Sequence, residues 1–294
     1  MTTWTTLTTL ATEAQAQALA ALMEELLDPA PSGIGCFEIE DDSGRWEVGG
    51  YFLAKPDEAA LAVLAAMHEA RPFVVSKLDD RDWVAKVQRE LHPIHAGRFT
   101  VHGAHDRASV PTHRVSLMIE AAMAFGTGHH ASTQGCLWLM DDLARRGWPA
   151  GQGPSRAADI GSGTGVLAIA AAKVWRARVV ASDIDPIAVA TTRANVAVNG
   201  VASLVQTIEA TGFRHPVIRR EAPYDLVLAN ILARPVRRMA PDMARHLRLG
   251  GYAVLSGLLT TQAPAVWASF AAHGFVRVTE RRIGAWSALL LRCS

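Results

Sequence analysis

Along the first 78 residues the spacing of apolar side chains switches repeatedly between the two-residue period of a strand and the three-to-four-residue period of a helix. The threonine-rich "TWTTLTTL" reads as a strand, because β-branched side chains pack well on a pleated surface. Leu19, Leu22, Met23, Leu26 and Leu27 then mark an amphipathic helix, which Pro29 and Pro31 end. "GCFEIED" and "RWEVGGYFLA" alternate as two strands around a short "DSG" turn. Asp57 is placed to cap a second helix that runs to about Met67, and "PFVVSKL" closes the series as a strand. The order strand-helix-strand-strand-helix-strand predicts a ferredoxin-like α+β module over residues 1–78. Such a module serves many functions, so it names none.

"DDRDWVAKVQREL" follows with a charged, helical pattern that stops at His92-Pro93, and a linker helix is expected over residues 79–98. From residue 99 to 294 the pattern changes again. "AADIG", "RVVASDID", "YDLVLANIL" and "GYAVLSGLL" are short apolar runs, each followed by a helical stretch. Strands buried on both faces look like this, and they predict a doubly wound α/β domain with a parallel sheet. The last two runs, "FVRVTERRI" and "WSALLLRC", are too close for a crossover helix and must form an antiparallel hairpin.

The totals narrow the classes without choosing one. At 294 residues, half hydrophobic and 19% charged, the chain has enough apolar side chains for a full core. It lacks a run of about 18 apolar residues, so no membrane span is expected. The start "MTTWTTLTTLATEAQ" has no basic segment before an apolar one, so no secretory signal is expected and a cytoplasmic location is. Cys36, Cys136 and Cys293 are odd in number and widely separated, as reduced thiols are. Charge is uneven: residues 1–78 hold twelve acidic and four basic side chains, net −8, and the remainder is net +9. An acidic front module attracts basic protein surfaces and repels phosphate.

The chemistry concentrates in "ADIGSGTGVLAIAAA". Asp159 ends a strand, Gly161, Gly163 and Gly165 make a tight turn, and a helix begins at once. Glycine is required where the turn is tight and a ligand meets the backbone. A dinucleotide fingerprint puts its third glycine five residues after the first, but Val166 stands there and the third glycine comes at four. This spacing resembles the D-x-G-x-G-x-G loop of S-adenosylmethionine methyltransferases. Twenty-two residues after Gly161, Asp183 ends the next strand, where a carboxylate accepts hydrogen bonds from a ribose diol. Asp185, followed by Pro186, is expected to cap the next helix instead.

Further motifs make the resemblance specific. "AMAFGTGHHAST", "DIGSGTGVLAIAAAK", "SDIDPIAVATTRANVAVNG", "YDLVLANILARPVRRMAP", "LRLGGYAVLSGLLTTQ" and "WSALLLRC" resemble the PrmA family, along essentially the whole chain. The resemblance implies a seven-stranded S-adenosylmethionine-dependent methyltransferase fold behind a smaller substrate-recognition module. It implies an enzyme that methylates amino groups, lysine side chains or an N-terminal amine, of the large-subunit ribosomal protein numbered eleven. Implied cofactor contacts fall on Thr133, Gly161, Gly163, Asp183 and Asn230, with Phe125 and Gly126 near the methionine end. Two departures stand out: Ala131-Ser132-Thr133 replaces the usual residues after the histidine, and "RRGWPAGQGPSRA" is longer than usual, as a surface insertion is.

His130 matches the family's recurrent histidine, and a packing or hydrogen-bonding role at the lip of the cleft is expected. No metal is expected at His129-His130, whose adjacent side chains rarely converge, nor at His92/His95 or His102/His105. The expected catalytic residue is Asn230, whose side-chain oxygen, or the carbonyl of Ile231, accepts hydrogens from the incoming amine. The expected partner is a basic ribosomal protein, with no direct nucleic-acid or membrane contact and a monomeric enzyme. The alternative is a protein-lysine methyltransferase of the same fold acting on a non-ribosomal protein.

Overall fold

Residues 3–31, 33–39, 44–52, 54–78, 93–119, 131–146 and 153–294 are described in a computed structural model of the chain. They divide into two units, Met1–Val87 and Gln88–Ser294.

In the first unit β1 (Thr3–Leu10) lies between β3 (Trp46–Phe52) and β4 (Val74–Leu78), with β2 (Gly33–Glu38) on the far side of β3. All three pairings are antiparallel, giving the order β2-β3-β1-β4 of a ferredoxin-like sheet. Helices α1 (Glu13–Leu26) and α2 (Glu58–Met67) begin where local chemistry starts them. Thr12 Oγ1 accepts from the Gln15 N–H at 3.3 Å, and Asp57 Oδ1 accepts from Ala59 and Ala60 N–H at 2.9 and 3.2 Å. Leu19, Met23 and Leu27 bury one stripe of α1 against Val48 and Phe52, whereas Leu26 is left exposed. Gly50 permits the close approach: a Cβ there would lie 3.0 Å from the Met23 Cε.

The second unit holds the seven-stranded sheet. Its strands are β8 (Arg156–Ile160), β9 (Arg178–Asp183), β10 (Val205–Glu209), β11 (Tyr224–Asn230), β12 (Leu247–Leu259), β13 (Phe275–Ile283) and β14 (Trp286–Cys293). The order is β10-β9-β8-β11-β12-β14-β13, parallel except where β14 runs antiparallel to both neighbours. The chain winds outward from β8 to β10, then returns to the other side of β8 as β11. Between β8 and β11 lies the switch point at which open α/β sheets hold ligands.

Alternate residues of the central strands feed two cores. Leu226 and Leu228 of β11 face α3 (Ala131–Arg146), α4 (Val166–Trp175) and α5 (Pro186–Val198), where Leu137, Met140, Ile169 and Val196 are buried. Val227 and Ala229 face the other side, where α6 (Pro216–Glu221), α7 (Ala233–Arg238), α8 (Ala240–His246) and α9 (Ala263–Ala271) contribute Ile218, Val236, Met243 and Phe270. Burial on both faces explains why these strands lack polar alternation.

One boundary needs correction. Residues 79–92, most of the expected linker helix, lie outside the described residues. Its expected end is not helical: Ile94–Ala96 is β5, paired antiparallel with β6 (Phe99–His102), which runs parallel to β7 (Val115–Met118). Pro93 halts the preceding pattern, and Gly97 at φ +56° turns the chain into a hairpin. A Cβ at Gly97 would overlap the buried Asp141 side chain. Residues 94–98 therefore fall within the second unit, which starts at Gln88. Among the described residues no helix is long and apolar enough to cross a membrane.

Candidate active site

The site is assembled at the carboxyl ends of β8, β9 and β11. After Ile160 the chain turns through Gly161, Gly163 and Gly165 at φ +78°, +54° and +80°, all in the left-handed region that favours glycine. The turn is tied to the next strand, since Gly161 and Ser162 N–H both donate to the Ser182 carbonyl at 2.8 and 2.9 Å. It is tied to α5 as well. Thr192 Oγ1 donates to the Gly163 carbonyl at 2.9 Å, and Asn195 Nδ2 donates to that of Thr164 at 2.9 Å. Sequence reasoning missed these two polar side chains, whose signal was a buried Thr and Asn on an otherwise apolar helix face.

Asp159, beneath the turn, accepts from the Ala168 N–H at 3.0 Å and so satisfies a first-turn donor of α4. Burial pushes its carboxyl up to about 7, with the charge of Asp183 adding and the Ala168 N–H opposing. Asp183 is placed differently. Its Oδ2 accepts from Gly163 N–H at 2.9 Å and its Oδ1 from Asp185 N–H at 3.1 Å. Each oxygen retains a further lone pair for a hydroxyl, so the carboxylate is oriented and still able to accept a diol. Asp185 caps α5 through the Ile187 N–H at 2.8 Å, with Pro186 in the first turn, as its sequence context indicated.

At the end of β11, Asn230 Nδ2 donates at 3.1 Å to Oγ1 of Thr133, a wholly buried side chain of α3. The opposite end of the amide, Oδ1, is shielded from solvent and has no hydrogen-bond partner among the described residues. An oriented, unpartnered acceptor is costly unless a ligand donor meets it. Ile231, next in sequence, is wedged between two glycines. A Cβ on Gly161 would stand 2.3 Å from its Cγ2, and one on Gly257 2.4 Å from its carbonyl oxygen. Gly257, at φ +79° inside β12, is a second residue that sequence reasoning missed, although a glycine within an apolar strand is itself a signal.

Gly161, Gly163, Asp183 and Asn230 thus lie at the ends of three adjacent strands, with Gly163 bonded to Asp183 and Asn230 to Thr133 of α3. Phe125, Gly126, His129 and His130 lie outside the described residues, as does His92. Of the other spaced histidines, His102 spends both ring nitrogens on Gly103 O and Ser116 Oγ, each at 2.7 Å, and His95 Nδ1 meets Thr100 Oγ1 at 3.0 Å. Among the described residues no group of three or more His, Cys, Asp and Glu converges as a metal site would.

A backbone cradle free of Cβ atoms, a carboxylate for a sugar diol and a buried acceptor beyond them fit S-adenosylmethionine. The sheet order and this site together define a seven-stranded, S-adenosylmethionine-dependent methyltransferase.

Comparison with known proteins narrows the class. The model of the family described as "Ribosomal protein L11 methyltransferase (PrmA)" matches residues 6–293, and the chain belongs to this PrmA family. It is 45% identical over 284 residues to the ribosomal protein L11 methyltransferase of Bradyrhizobium diazoefficiens, covering 95% of this chain and 94% of that one. The corresponding protein of Rhodopseudomonas palustris is 44% identical over 283 residues, with the same coverage. Among solved structures, a ribosomal protein L11 methylase from Lactobacillus delbrueckii subsp. bulgaricus aligns with a TM-score of 0.60 at 24% identity. It covers 69% of this chain and all of its own, a likeness of fold.

Proposed function

We propose that this protein transfers methyl groups from S-adenosylmethionine to amino groups of ribosomal protein L11. The observation that carries the reading is the Asn230 amide, held by Thr133, whose Oδ1 is buried without a hydrogen-bond partner among the described residues. Bound there, S-adenosylmethionine supplies an electrophilic methyl carbon on a sulfonium, and the protein has to align the nucleophile and keep water away.

Asp183 holds the ribose hydroxyls, and Gly161 and Gly163 leave room for the rest of the cofactor against the backbone. Thr133 acts through Asn230, whose Oδ1 accepts a hydrogen of the incoming amine and aims its lone pair. A lysine ammonium, with an ordinary pKa of about 10.4, must lose a proton before attack, whereas an α-amine at about 7.7–8.0 is already about half neutral or more near pH 8. Desolvation at the strand ends favours the neutral amine, so no dedicated base is needed.

The acidic front module, residues 1–78 at net −8, recognises the basic substrate protein, and the segment after it links the module to the catalytic unit. The enzyme works as a cytoplasmic monomer without contacting nucleic acid. The test is incubation of the full chain with labelled cofactor in a ribosome-free lysate, followed by mass mapping. Label on the free L11 protein is expected; label confined to a nucleic acid or a metabolite overturns the reading.

A further inference from the structure

Several arginines of the second unit sit against carboxylates. Arg98 and Arg145 meet Asp141, Arg245 meets Asp242, Arg248 meets Asp225, Arg281 meets Asp142 and Arg282 meets Glu280. Helix α7 gathers three arginines on six residues. Arg234, Arg237 and Arg238 are exposed and form no ion pair among the described residues. Their spacing of three and four residues puts them on one face, where they line with Ser269 of α9 a depression of about 310 Å³. Arg237 Nε donates to Ser269 Oγ at 3.2 Å, which fixes one guanidinium at the floor.

Helix stability does not account for the cluster. Arg237 and Arg238 occupy the last turn, where a cation meets the negative end of the helix dipole. Arg234 occupies the first turn, where the dipole opposes it, and like charges three and four residues apart repel. An anion from outside would relieve all three.

The position says which anion. Arg234 follows Asn230 by four residues, so their Cα atoms are at most about 14 Å apart. Between them Leu232 is 71% exposed, an apolar step from the amide to the guanidinium groups. Whatever fills the depression while an amine rests on Asn230 is a few residues from that amine in the same polypeptide. Planar guanidinium groups recognise carboxylates by paired hydrogen bonds. A nucleic-acid strand is disfavoured, because the same chain carries twelve acidic against four basic side chains in its first 78 residues.

We propose that Arg234, Arg237 and Arg238 form a substrate-reading surface that holds carboxylate side chains lying within about four residues of the methylated amine. This rests on the reading of the protein as an amine methyltransferase and specifies which amines it selects. The experiment compares the full-length wild type with the double variant Arg234→Glu/Arg238→Glu, which spares the Arg237 contact with Ser269. Steady-state kinetics use purified L11 protein with labelled cofactor, and calorimetry measures cofactor affinity. Expected is a rise in KM for the protein of ten-fold or more, an altered salt dependence of kcat/KM, and cofactor affinity within two-fold of wild type. Replacing the nearby substrate acids by lysine should restore part of the loss in the double variant and impair the wild type. An unchanged KM, with wild type active, overturns the inference while leaving the methyltransferase reading intact; a wild type that labels no protein overturns that reading itself. A loss seen only with L11 bound to ribosomal RNA, and absent with the free protein, overturns it by showing a phosphate-reading surface.

Discussion

Asn230 and Thr133, 97 residues apart in sequence, meet through one hydrogen bond from Nδ2 to Oγ1 at 3.1 Å, and this fixes which end of the amide faces the site. In Thr133→Val the amide loses its only restraint among the described side chains. Loss of a buried hydrogen bond costs about 1–3 kcal/mol, so kcat should fall about five- to 150-fold if the bond aims the acceptor. Asn230→Ala removes the acceptor itself and should cost at least as much. The double variant should be no worse than Asn230→Ala, because Thr133 acts only through the amide. Additive losses in single-turnover kinetics would show that Thr133 has a separate role.

Ile231 gives a stability test with a built-in contrast. Gly161→Ala forces a side chain into φ +78° and onto Ile231 Cγ2, whereas Gly257→Ala drives its Cβ into the Ile231 backbone carbonyl. Each should destabilise by roughly 1–3 kcal/mol from strain and overlap. Adding Ile231→Ala removes the atom that crowds residue 161 but not the one that crowds residue 257. Thermal unfolding should therefore show partial recovery in the first pair and none in the second.

The elements most legible in the sequence are those whose cause is local. Asp57 is readable as a cap because its partners are two and three residues on, and β8, β9, β11 and β12 because burial on both faces leaves mostly apolar side chains along their centres. The edge strand β10, "VQTIE", buries only Val205 and Ile208 and carries no such run. Strands β5 to β7 have only three or four residues each, too short for a period to emerge. The end of β7 is secured by Asn199, whose side chain bonds both Met118 N–H, at 3.0 Å, and Met118 C=O, at 2.6 Å, across 81 residues. In the site the same division holds. The glycine turn and Asp183 are read from a single segment each, but the orientation of the Asn230 amide depends on a distant threonine, and Gly257 on its nearness to Ile231.

Asp183 is oriented by two backbone N–H groups, which would pre-organise its carboxylate for the proposed ribose diol. Asp183→Ala should weaken S-adenosylmethionine binding by about 1.5–3 kcal/mol, the worth of hydrogen bonds to a charged group, or about ten- to 150-fold in Kd. It also frees the Gly163 N–H, so the loss should exceed that of Asp183→Asn, which keeps one acceptor. Calorimetry with S-adenosylmethionine checks the order, and equal affinity across all three proteins would remove Asp183 from the cofactor site.

Asp159 makes stability depend on pH in the opposite sense to a paired carboxylate. Its carboxyl rises from 3.8 to about 7 in the fold, chiefly through burial, so folding favours the protonated form. That contribution is fully present below about pH 3.8, shrinks as pH rises, and is gone above about pH 7. A shift of this size corresponds to the order of 4 kcal/mol across the window. Asp159→Asn keeps an acceptor for the Ala168 N–H and cannot ionise. The stability difference, wild type minus variant, should therefore fall steadily between pH 5 and pH 7 and level off near pH 8. Because every other titrating group is common to both proteins, histidine ionisation cancels in that difference. Urea unfolding at half-unit pH steps measures it, and parallel curves would place Asp159 in a far more polar setting than its burial beneath the glycine turn implies.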